Sequence, residues 1–253
     1  MTASAWTLTA AAAAAIGAAL CLCGFDEPPA HAQPAAYALA PVADYLMDRD
    51  AEIALARSAA PASISRDATV MVLTPHGYEV AVKGTNGFVC MVERGLLGTF
   101  DWAEHFSPKI RGADCLNPQA ARSIVPLADL RTRMALEGRS TDETVAAIRA
   151  GYRSGALPPL EPGAMSYMMS KDSYLTDIGH HNAPHLMFFM PIADKAAWGA
   201  DAEGSPVGAA PYWFFSKALA ARYPDLPPLT IFVARVPTWS DGSPASHAMH
   251  ALQ

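Results

Sequence analysis

Apolar and polar positions alternate most cleanly between Thr69 and Glu93, where residues 69–73, 78–83 and 88–93 form three short β-rich runs. Thr74, Pro75, His76 and Gly77 separate the first two, and Gly84, Thr85, Asn86 and Gly87 the last two, both with turn chemistry. The pattern predicts a three-stranded antiparallel meander. In its middle run Tyr78, Val80 and Val82 share one face and Glu79, Ala81 and Lys83 the other, so one side is expected to pack on the core. Residues 164–169, 186–190 and 229–236 are three further apolar runs of strand length.

Helical spacing marks the segments between. Val42, Tyr45, Leu46, Ile53 and Ala56 recur at helical intervals until Pro61, predicting an amphipathic helix over residues 42–60. Asn117 followed by Pro118 is a helix start, with Pro126 interrupting a pattern that continues to Glu137. Ser140 and Glu143 have the spacing of a capping box, and Val145, Ile148 and Tyr152 trace one face of a helix ending near Gly155. A helical turn over 194–199 and a helix over 212–223 are also expected. The sum is an α+β fold: an antiparallel sheet of about six strands, an N-terminal meander plus C-terminal strands, with helices inserted between.

Composition adds an address. Residues 6–22 are apolar or small, and Ala30, His31 and Ala32 have the form of a cleavage site, so residues 1–32 read as a signal peptide and the product as periplasmic or secreted. Residues 33–41 then read as a flexible tether, 42–242 as a single globular domain and 243–253 as a flexible tail. Cleavage removes Asp26 and Glu27 and no Lys or Arg, moving the formal charge from −6 to −4. That mild acidity offers no electrostatic reason for a nucleic-acid partner. No second long apolar run follows the leader, so no stable membrane insertion is expected after cleavage. Cys90 and Cys115 remain as an even pair in an oxidising compartment, and a disulfide between them is expected.

Candidate chemistry gathers between residues 161 and 191, where Asp177, His180, His181 and His185 lie in and beside the connection of two predicted strands. Imidazole and carboxylate donors suit zinc, while Met165, Met168, Met169, Met187 and Met190 nearby would suit copper. Strand alternation makes most of those methionines core filler instead, and the plainer reading of the histidines is two exposed loop residues and one at a strand entry, hydrogen-bonded to backbone. The spacing matches no zincin pattern, and GxSxG, SxxK, P-loop and GxGxxG motifs are absent. Ser166, Ser170 and Lys171 could form a serine-lysine device, or simply face sheet neighbours. His247, Met249 and His250 could chelate copper from the tail. Between the cysteines, Trp102, His105 and Phe106 form an aromatic segment, either a binding loop or a cover for one edge of the core.

The runs GTNGFVC (84–90), EPGAMSYMMSK (161–171), PHLMFFMP (184–191) and WSDG (239–242) resemble those of a group of exported bacterial proteins with no assigned function. The resemblance implies export from a bacterium and carries no activity, ligand or catalytic residue. Two functions stay open: an exported non-catalytic binding or accessory protein with a small-molecule or protein partner, and a metal-binding protein or metal-dependent hydrolase built on His180, His181 and His185.

Overall fold

The computed structural model describes residues 37–178 and 183–245, which belong to one compact unit. In chain order, α1 (Val42–Tyr45), α2 (Arg49–Arg57) and α3 (Ala62–Ser65) precede β1 (Thr69–Thr74), β2 (Gly77–Val82), β3 (Val89–Glu93) and β4 (Gly112–Leu116). Next come α4 (Pro118–Ser123), α5 (Val125–Leu136) and α6 (Thr141–Ser154), and then β5 (Met165–Met168), β6 (His185–Met190), β7 (Val207–Pro211), α7 (Lys217–Ala220) and β8 (Thr230–Arg235). The strands form one eight-stranded sheet in the order β2-β1-β3-β4-β5-β6-β8-β7. Only β1 and β3 pair in parallel; the other pairs are antiparallel.

The α+β class holds, while the sheet has eight strands where about six were expected. Of the two not foreseen, β4 reads Gly-Ala-Asp-Cys-Leu and β7 reads Val-Gly-Ala-Ala-Pro, with almost none of the β-branched and aromatic content that marks a strand. Their pairing partners make them strands: β4 is held between β3 and β5, and β7 lies at an edge, where Pro211 is tolerated.

The predicted meander is also corrected, because β3 lies beside β1 and not beside β2. The chain leaving β2 crosses the start of β1, where Gly84 N meets Thr69 Oγ1 at 3.0 Å and Thr85 N meets Asp67 O at 2.8 Å. A Cβ on Gly84 would stand 2.1 Å from Thr69 N, so only glycine permits this crossing. With β2 left at the edge, Val80 is half exposed. The helix expected over 42–60 divides into α1 and α2, because Asp48 caps α2 by accepting from Asp50 N and Ala51 N. The helix expected over 212–223 shrinks to α7, since Tyr212, Trp213 and Phe214 are drawn into the core. The Ser140 capping box and the Asn117 cap form as expected.

Two cores sandwich the sheet. On one face α2 lies against β1, β3 and β4 through Ala56, Ala59, Ala60, Val70, Val92 and Ala113, together with the Cys90–Cys115 disulfide. On the other, α4, α5 and α6 cover Leu73, Tyr78, Met91, Leu116 and Ala164. Beneath α2 an ion pair is almost wholly inaccessible: Glu52 Oε1 accepts from Arg94 Nη2 at 2.9 Å and from Leu73 N at 3.1 Å. Arg94 also donates to the Tyr45 carbonyl at 2.7 Å and to the Val92 carbonyl.

Glu52→Gln is expected to cost about 3–5 kcal/mol in urea unfolding, because it strands a buried guanidinium; a Glu52→Met/Arg94→Met double variant should recover part of that loss. Reducing the disulfide, which closes a loop with a sequence separation of 25, should cost about 3 kcal/mol on the chain-entropy model and lower the urea midpoint measured with dithiothreitol.

Candidate functional site

Helices α4–α6 cover only part of their face of the sheet, and over the remainder lies a cleft of about 440 Å³. Strand alternation decides its floor. Paired residues in adjacent strands point the same way, so Glu93, Gly112, Met168, His185, Met187, Val233, Ile231 and Ala210 project from six strands onto one face. Gly112 has no side chain for a structural reason: a Cβ there would stand 2.8 Å from Leu175 Cδ2 and 3.1 Å from Met168 Cε.

Three connecting segments form the rim, contributing Leu97, Gly98, Thr99 and Trp102, then Leu175 and Thr176, and Tyr212 with Phe215. Two carboxylates fasten them together. Asp101 accepts from Phe215 N at 2.8 Å and Ser216 N at 2.7 Å, while Phe100 N donates to the Trp213 carbonyl at 2.9 Å. Buried Glu104 accepts from the Thr176 hydroxyl at 2.7 Å and from Asp177 N at 2.8 Å. The rim is therefore preformed, as ligand sites usually are.

The cleft is mostly apolar, and its chemistry is concentrated at Glu93. Behind it on β4 lies Asp114, fully buried, with neither carboxyl oxygen in hydrogen-bond geometry to any partner. The Ser166 hydroxyl and the Glu93 carboxyl are close enough to Asp114 to affect its titration. Burial pushes both acids up, Glu93 to about 7 and Asp114 well above the usual carboxylate range, the latter raised further by the negative charge of Glu93. The two acids titrate as a coupled pair, both displaced toward their protonated forms. Opposing the rise in Glu93 is Arg131 of α5, whose guanidinium lies 4.6 Å from the Phe100 ring and 5.1 Å from the Tyr212 ring. Tyr212, also on the cleft wall, is raised by burial and lowered by the same guanidinium.

His185 faces the cleft from β6. Its Nδ1 lies 2.8 Å from the Ala183 carbonyl and so must donate, which leaves Nε2 as an acceptor; burial holds the ring neutral by lowering its titration range. Trp102 lines the rim, stacked so closely on Gly98 that a Cβ there would meet its ring at 2.4 Å. His105 and Phe106 point elsewhere: the two rings stand 4.5 Å apart and pack near the main core. His105 is buried and held far below its ordinary range, to about 3, by burial and by Arg131.

Of the residues singled out from the sequence, His180 and His181 lie outside the described residues, as do His247, Met249 and His250. Asp177 is occupied structurally: the Tyr174 hydroxyl donates at 2.5 Å, Lys109 at 3.0 Å, and the Tyr37 hydroxyl completes the set, holding the carboxylate below its usual range. Among the described residues no group of three or more His, Cys, Asp or Glu side chains is placed to hold a metal ion. Ser166 is buried against Asp114, and the Ser170 hydroxyl lies 2.6 Å from that of Ser58. Lys171 pairs instead with Asp241 at 2.7 Å.

Glu93, Asp114, Arg131 and Tyr212 escaped the sequence reading, although one signal pointed to the first two. A Cys90–Cys115 bridge between antiparallel neighbours sets Met91 opposite Asp114 and puts Glu93 on the same face, away from the cystine. No helix of the described residues is long and apolar enough to cross a membrane. No family model, no curated protein and no solved structure matches this chain.

Proposed function

We propose that this is an exported small-molecule binding protein, its ligand an apolar body with one hydrogen-bond-donating or cationic group set against Glu93. The observation that carries the reading is the Glu93 carboxyl on the wall of a mostly apolar, preformed cleft, with the buried Asp114 carboxyl behind it. Two carboxyls held side by side in apolar surroundings cost stability unless they serve a purpose, and an acceptor for a ligand's donor is the simplest one. The leader-like N-terminal run and the buried cystine support an oxidising compartment. Met168, Met187 and Trp102 supply adaptable and aromatic surface for the apolar part.

A second reading rests on Glu93 lining the same cleft as His185 and Tyr212. Glu93, held near 7, is poised to take up and release a proton at neutral pH, as a general acid or base must be. In that reading His185 Nε2 and the Tyr212 hydroxyl are the other polar groups on hand. Turnover that vanishes in Glu93→Gln while ligand affinity persists would favour it over simple binding.

Aminomethylanthracene, an apolar cation at neutral pH, is expected to bind about tenfold more tightly than methylanthracene to the wild-type protein and equally well to Glu93→Gln, read by fluorescence titration. Equal affinity of the two probes for the wild type would remove the donor-directed reading. The preference should grow as pH rises through about 7, because Glu93 then loses its proton. Stability should move the other way. With its folded-state value raised from 4.5 to about 7, Glu93 keeps its proton in the fold over a range where the unfolded chain has lost it. Ligand-free stability should therefore fall as pH rises through that window, and Glu93→Gln should flatten the slope in urea titrations.

A further inference from the structure

A second cavity, of about 630 Å³, lies away from the sheet cleft and shares no lining residue with it. Its walls come from the C-terminal half of α6, the segment after that helix, the end of β6 and the turn before β8. Tyr152, Leu160, Leu226 and Leu229 make them apolar, and Pro159, Pro191, Pro227 and Pro228 make them stiff. A proline wall has a fixed backbone and no N–H to satisfy, so the cavity offers apolar surface at little conformational cost. The walls are also tied down: Pro227 O accepts from Trp213 Nε1 at 2.8 Å, and Leu157 N donates to Gly151 O at 3.0 Å.

Charge at this cavity is unbalanced. Arg149 and Arg153, one turn apart on α6, line it together with Asp225 alone. Asp225 reaches Arg149 Nη2 only at 3.4 Å and is itself 74% exposed, so it holds that guanidinium weakly. Arg149 Nε is buried without a hydrogen-bond partner, and among the described residues no carboxylate lies within ion-pair distance of exposed Arg153. Two guanidiniums facing one loosely held carboxylate above a greasy trough suit a ligand with an apolar tail and a single negative head. The volume is that of a small-ligand site, for which about 300–1,000 Å³ is usual.

We infer that this cavity is a second ligand site, taking a small anionic amphiphile whose carboxylate lies against Arg149 and Arg153 and whose tail fills the proline-walled trough. Its charge preference is the reverse of that proposed for the Glu93 cleft, and it stands whether or not that cleft binds anything.

The test is calorimetric titration of the full chain, below the micellar range, with dodecanoate and with dodecyltrimethylammonium. The expected result is one equivalent of dodecanoate bound at least about tenfold more tightly than the cation, with that preference abolished in Arg149→Gln/Arg153→Gln. Because the readout is a ratio between two probes of one tail length, a modest loss of stability in the variant does not mimic it. Glu93→Gln should leave dodecanoate binding unchanged; tighter binding there, as loss of the cleft's negative charge would give an anion lodged beside it, would place the anion in the sheet cleft and overturn the assignment. Absence of saturable binding, a smaller preference, or a preference that survives the double substitution would overturn it equally.

Discussion

Arg94 and Glu52 set the frame on which both faces of the sheet depend. Arg94 follows Glu93 directly, and strand alternation sends the two side chains to opposite faces. The guanidinium goes under α2 to Glu52, where it also collects the Tyr45 and Val92 carbonyls, and the carboxyl goes to the cleft. A one-residue slip of β3 would set Glu93 against Glu52 beneath α2 and turn Arg94 to the cleft face, breaking the ion pair and bringing two carboxyls together. The ion pair therefore contributes more to register than to net stability, since a well-packed apolar pair could match it in energy but not in which face it selects.

Around that pair, small residues bring α2 down onto the sheet. Ala56, Ala59 and Ala60 meet Ala113 and the Cys90–Cys115 bridge, so helix and strands approach without large side chains between them. The bridge joins residues already paired in the ladder, and with the ion pair it holds β3 and β4 in one alignment. That alignment is what sets Asp114 behind Glu93. Stability on the α2 face and chemistry on the other are thus two consequences of one register.

Local chemistry was legible in the sequence wherever a few neighbouring residues decide the outcome. The Ser140–Glu143 box, the Asn117 cap with Pro118 and the Cys90–Cys115 bridge all form as their residues predict. Long-range pairing was not. A strand such as Gly112–Leu116 has no pattern of its own and exists because β3 and β5 flank it, and the parallel pairing of β1 with β3 depends on the close approach permitted at Gly84. The site suffered from the same limit. His185 drew attention for being near other histidines, yet its position in the cleft follows from its pairing with Met168 and Arg235. Arg131 and Tyr212 reach Glu93 from elements remote in sequence, and no spacing rule joins them.

Arg131 explains why the rise in Glu93 stops near neutrality. Its guanidinium is packed among Phe100, Tyr212 and Trp213, donates to the Gly98 carbonyl, and leaves Nε and Nη1 without partners. A cation so enclosed needs a compensating charge through space, and Glu93 is an acid whose titration it lowers. Full protonation of both acids would strand Arg131, and full ionisation would set two negative charges side by side in an apolar setting. The cluster is best balanced with one proton between the two carboxyls. A ligand donor at Glu93 shifts that balance toward the ionised form, so occupancy of the cleft and the protonation of Asp114 are coupled through the same three charged groups.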